Sequence, residues 1–140
     1  MSQDTKKLIA SLDANQDQGT QNGAMTQLLA MQDHLDLTQL CQKGPKALWQ
    51  NEALVLQNIG FPRLNALLPE LLVWVQDMNW PGAWTIMRLL KAAPSEPFQA
   101  ALASAMKMAQ ETDDEEWLNH LNLARGIQRQ DPEALIQLRD

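Results

Sequence analysis

The chain has no tyrosine, only two phenylalanines and two histidines, and a single cysteine, Cys41. One thiol excludes an internal disulfide and any CxxC metal knuckle. His34 and His120 stand far apart in sequence with no HxxxH or HExxH partner, so no zinc motif is present. The glycines are scattered at the ends of apolar-periodic segments, which leaves no glycine-rich phosphate loop. Valine and isoleucine are sparse, and strands are built mainly from β-branched and aromatic residues, so no sheet is expected. No run of about 18 apolar residues occurs, and no charged start leads into an apolar stretch. The expected protein is therefore cytoplasmic, without a membrane partner. Positive charge is short as well: 11 Lys and Arg against 17 Asp and Glu give a formal net charge of −6. Nucleic acid and anionic membranes are polyanions and complement such a chain poorly; a protein with a basic surface complements it better.

What the chain does have is leucine, alanine, glutamine and methionine, all good helix formers. Its 140 residues, 45% hydrophobic, suffice for one domain with a working core. The expected fold is all-α, with about seven to eight helices. Leu64 to Ala93 organises it. Leu64, Leu67, Leu68, Leu71, Leu72 and Val75 fall on one helical face, and Ala83, Ile86, Met87, Leu90 and Ala93 on another. Between them, Asp77, Asn79, Trp80 and Pro81 supply a turn, an Asn cap and a proline suited to a first helical turn. Residues 62–93 thus read as one helical hairpin. Leu67, Leu68, Leu71, Leu72, Ile86, Leu90, Leu102 and Leu121, central on their stripes, form the expected shared core.

The flanks are less regular. A short helix carries Leu8, Ile9 and Leu12, and the Gln/Asn-rich run 13–23 reads as a mobile loop. Met25, Leu28, Leu29 and Leu35 mark a second helix, and Asp36 caps a short piece that stops at Gly44. Pro45 opens a helix that is apolar around most of its circumference through Ile59, the pattern of a central element packed on two sides. Gly60 ends it. Pro69 lies inside the next apolar pattern, so that helix either starts or bends there. Beyond the hairpin, Phe98 to Ala109 form another face, the acidic run 111–116 makes a turn, and Trp117, Leu121, Ala124 and Ile127 mark a further helix. Pro132 opens a last short one. Trp80 and Trp117 begin helices after similar turns, a helical-repeat spacing. Stacked antiparallel hairpins, a HEAT-like right-handed α-solenoid over 36–140 with less regular helices over 1–35, is the economical architecture.

One stretch resembles a known family. Its members carry a "K-I-G-Y/F-P-R" turn, a leucine-rich helix and "W-L/V-Q-D-M/L-N-W-P-G/V-A". Here these are Asn58-Ile59-Gly60-Phe61-Pro62-Arg63 and Trp74-Val75-Gln76-Asp77-Met78-Asn79-Trp80-Pro81-Gly82-Ala83. A later "D-D-E-x-W" is similar to Asp114-Glu115-Glu116-Trp117. The chain thus resembles, over about residues 36 to 125, a bacterial family of small all-helical proteins with a domain of unknown function. The resemblance implies a HEAT-like fold and no particular catalytic residue.

No catalytic set, metal site or cofactor site emerges from the residues. Cys41 has no nucleophile signature and reads as a small buried hydrophobe. Asp113 and Asp114 lack EF-hand spacing, and acids at a helix start are stabilised by its dipole. Asp77, Asn79, Trp80 and Pro81 are expected to be structural. Trp74 and Trp84, at the edges of their apolar stripes, are the candidate partner contacts; Trp84 also neighbours Arg88 and Lys91. Asp113, Asp114, Glu115 and Glu116 are either a solvated turn or an electrostatic handle. Two functions stay open. One is a non-enzymatic module that grips a basic protein, such as an immunity or antitoxin-type inhibitor of a bacterial toxin domain. The other is a ligand-binding or enzymatic pocket between hairpins, lined by Trp74, Trp80, Trp84 and Asp77 and suited to a cation.

Overall fold

Asp17 decides where the second helix begins. Its carboxylate accepts from the Thr20 N–H at 2.8 Å and caps α2 (Gln18–Ala30), which follows α1 (Gln3–Ala10). The expected loop over 13–23 is therefore confined to 11–17. Glutamine is a good helix former once a cap supplies the start, so residues 18–23 are helical. Gln21 faces inward, donating to the Gln16 carbonyl at 2.7 Å and accepting from the Asn51 amide at 2.8 Å. Asn51 in turn donates to the Leu12 carbonyl at 2.7 Å. These bonds tie the N-terminal pair to the helix that follows.

The computed structural model describes residues 3–138; within them lie eight α-helices, five short 3-10 turns and no strand. After α2 the chain passes through 3-10 turns at Gln32–His34, Leu37–Leu40 and Lys46–Leu48. Asp36 caps the second of these through the Thr38 N–H at 3.1 Å. The third leads into α3 (Trp49–Ile59). As its pattern predicts, α3 is central: Ala53, Val55 and Leu56 are fully buried, and it packs against α2 and α5. Gly60, at φ 70°, closes it in a conformation that side chains with a Cβ rarely adopt. The Phe61–Pro62 bond that follows is cis.

Helix α4 (Leu68–Trp74) starts at Pro69 rather than bending there, after a 3-10 turn at Asn65–Leu67. In the first turn the missing proline N–H would have had no helical partner anyway. The second half of the hairpin is α5 (Ala83–Leu89) with a 3-10 end at Leu90–Ala92. Then come α6 (Ser95–Glu111), α7 (Glu115–Gln128) and the single turn α8 (Pro132–Leu135). The two halves of the expected hairpin do not spend their apolar faces mainly on each other. Instead α4 packs chiefly on α6, α5 on α3, and α6 on α7. All eight residues expected in the shared core are there, none more than 5% exposed.

Candidate functional site

The turn between α4 and α5 is built inward. Asp77 accepts from the Asn79 N–H at 2.8 Å and shapes the bend. Asn79 itself is exposed, and the capping role assigned to it falls elsewhere. The Gly82 N–H at the head of α5 donates to Gln50 Oε1 of α3 at 2.9 Å, and the other end of that amide donates to Thr85 at 3.0 Å. Gly82 has φ 84°, and a Cβ there would stand 2.9 Å from the Trp49 carbonyl oxygen and from Ala53. The motif glycine is therefore required twice, for conformation and for space.

Trp74 is fully buried, so it is a core element and not the partner contact expected from its edge position. Its indole N–H donates to the Pro81 carbonyl at 3.0 Å, locking helix to turn. Trp49 packs edge-on against both Trp74, at 6.5 Å between ring centres, and Trp80, at 5.7 Å. Offset edge contacts of this kind suit the ring quadrupoles. Two of the rings expected to line an aromatic pocket, Trp74 and Trp80, are thus packed on Trp49. Trp80 is half-buried in that cluster, consistent with a structural role. Trp84 is half-buried against the core, and its neighbour Arg88 donates to Thr85 at 3.2 Å.

The second turn, between α6 and α7, divides its residues. Asp114 caps α7: its carboxylate accepts from the Trp117 N–H at 3.0 Å and from Gln76 at 3.1 Å. Those bonds, the Trp117 N–H first, hold its carboxyl below the usual range, with His120 contributing. Trp117 and His120, three residues apart on one face of α7, serve the end of α4. The Trp117 indole donates to the Leu72 carbonyl at 3.0 Å, and His120 Nδ1 lies 2.8 Å from the Val75 carbonyl. Carbonyls at a helix C-terminus have no partner within the helix, so α7 caps α4 with two side chains.

The other acids of that turn face outward. Glu111, Asp113, Glu115 and Glu116 are exposed, and Asp113 sits at φ 53°. Asp113, Glu115 and Glu116, together with Gln76, Met108 and Thr112, border an open groove of about 540 Å³. Met108 is 53% exposed on its edge. Lys107 reaches Glu111 at 3.9 Å, whereas Arg125 turns away to Asn122 and the Met106 sulfur. Lys107 thus answers Glu111, and no ion pair is formed by Asp113, Glu115 or Glu116 among the described residues.

Elsewhere, Cys41 is buried as expected, and burial together with Glu70 and Glu52 pushes its thiol up to about 12. Such a thiol is protonated and inert at neutral pH. Glu52, fully buried on α3, was not foreseen; burial pushes its carboxyl up to about 7. Its signal is positional, since Glu52 falls on the same face as Trp49 and Leu56. Among the described residues no three His, Cys, Asp or Glu gather where a metal ion would be held, and no helix is long and apolar enough to cross a membrane.

Fold and sites together define an all-α domain whose tryptophans are spent mainly inside and whose α6–α7 turn displays several acids. Residues 50–133 match DUF5071, a domain of unknown function, and the chain belongs to that family. The match includes both turns and extends further toward the C-terminus than the resemblance over 36 to 125 implied. No curated protein and no solved structure matches the chain.

Proposed function

We propose that the protein is a non-enzymatic interaction module that presents the α6–α7 turn to a basic protein surface. The observation that carries this is the outward set Asp113, Glu115 and Glu116 around a groove edged by exposed Met108, with Glu111 exposed nearby. An exposed apolar side chain beside like charges offers a partner some desolvation energy and, chiefly, steering. The partner class that fits is a basic bacterial toxin domain, with this chain as an immunity or antitoxin-type inhibitor acting in the cytoplasm. Trp84 on α5 is a second contact in this reading. The scaffold is read as a HEAT-like stack of hairpins, which would hold the turn rigidly in place.

The test is affinity capture from a native bacterial lysate, with the wild type and a variant carrying Asp113→Asn, Glu115→Gln and Glu116→Gln. The expected result is a stoichiometric basic protein retained by the wild type and lost from the variant. Equal capture by both, or a stoichiometric acidic partner, contradicts the assignment.

A further inference from the structure

A second site lies away from the acidic turn, where the chain between the Leu37–Leu40 turn and α3 meets the start of α4. Cys41, Gln42, Lys43, Pro69, Glu70 and Val73 line a pocket of about 360 Å³ there. Its wall holds polar atoms without partners. Glu70 Oε2 is buried and accepts no hydrogen bond, and Gln42 Nε2 is buried and donates none. Directly behind Gln42 stands Glu52, fully buried, with one carboxylate oxygen 3.3 Å from the Gln42 N–H and the other unpartnered. Gln42 itself is held at φ 62°.

Buried polar atoms are almost always paired, because leaving one unpaired costs on the order of 1–3 kcal/mol. A helix start accounts for an acid at Glu70, but it does not account for a buried oxygen that receives no donor. The two carboxylates come from different helices: Glu52 reaches the Gln42 N–H, and Glu70 lines the pocket with Gln42 and Cys41. Lys43 is the cation on the rim; it is exposed and forms no ion pair within 4.0 Å among the described residues. The rest of the wall is apolar: Pro69, the Cys41 side chain and Val73, which is 38% exposed. A carboxylate rotates softly about its terminal bond, so Glu70 can turn its buried oxygen to a guest.

We propose that this pocket binds an organic cation of the guanidinium or ammonium type carried on an alkyl stem, the chemistry of an arginine or lysine side chain. The head group meets Glu70, with the Gln42 amide oriented by the guest. The stem lies along Pro69 and Val73, as long cationic side chains do on apolar surface. Such a group comes either as a free small molecule or as one side chain of a protein.

The experiment is a ¹⁵N-HSQC titration of the full chain with two probes, agmatine and an N-acetyl-arginine-amide, against neutral N-acetyl-norleucine-amide. Saturable shifts confined to residues 41–43 and 70–73, with the arginine derivatives and not with norleucine, are expected. Tighter binding of agmatine assigns a free ligand; tighter binding of the blocked arginine assigns a protein side chain. Glu70→Gln should weaken binding at least about tenfold, since a charge-assisted pair is lost. Lys43→Gln should tighten it by removing the like charge, and its exposure keeps folding out of the result. Absent shifts, equal binding of norleucine, an unaffected Glu70→Gln, or a Lys43→Gln that binds more weakly would each overturn the proposal. Shifts confined to 111–116 would overturn it too, while leaving the acidic-turn reading standing.

Discussion

The turns on either side of the α4–α6 pair look alike in sequence and are used in opposite ways. Each has an acid and a tryptophan at the start of a helix. At 77–82 nearly everything points inward: Trp74 bonds the Pro81 carbonyl, Gly82 presses against α3, and Trp80 leans on Trp49. At 111–117 the inward work is done by Asp114 and Trp117, and Asp113, Glu115 and Glu116 are left to solvent. The lesson is that a turn's polarity does not reveal its use. What counts is whether each polar group has an internal partner, because a group already bonded inside has little left for another molecule.

The largest effect that would break this contrast is at Gly82. Gly82→Ala places a Cβ against the Trp49 carbonyl and forces an unfavourable φ, so it should cost about 3 kcal/mol or more in reversible urea unfolding. A loss under about 1 kcal/mol would mean that the turn is not packed as described.

Next comes Glu52. Its folded value of about 7 lies above the ordinary 4.5, so the folded state binds the proton more tightly than the unfolded one. This group's contribution is therefore most favourable at low pH, falls as pH rises from about 4.5 to about 7, and is fully unfavourable above that. Glu52→Gln should make the protein more stable by about 1–3 kcal/mol near pH 8, with the difference fading near pH 4. A pH-independent difference in thermal melts would refute the burial penalty.

Within the acidic turn itself the contrast should reappear between neighbours. Asp114→Ala removes the α7 cap and the Gln76 bond and should cost about 1 kcal/mol. The joint change Asp113→Asn, Glu115→Gln, Glu116→Gln touches no internal bond and should move stability by less than about 0.5 kcal/mol. Chemical denaturation of the two variants side by side checks the ranking.

Much of the fold is legible because helical faces repeat every few residues: the eight core positions and the central role of α3 follow from local spacing alone. The Gln-rich start of α2 was hidden because composition resembles a linker until Asp17 is recognised as its cap. Trp74 and Trp84 occupy equivalent edges on their helical wheels, yet only the fold decides that Trp49 arrives to cover Trp74. That contact spans distant positions, which no periodicity encodes. Likewise the acids at 113–116 look alike in pattern, and it is the α7 cap and the approach of Gln76 that single out Asp114. The pairing of Glu52 with the Gln42 backbone is equally non-local.

The most direct measurement is the association rate of the captured partner with the wild type and the Asp113→Asn, Glu115→Gln, Glu116→Gln variant, taken by surface plasmon resonance at several salt concentrations. If the outward acids steer a basic partner, the variant associates more slowly and with a flatter salt dependence, while dissociation changes less. An association rate and salt slope equal to those of the wild type would contradict that role and return the turn to a solvated surface.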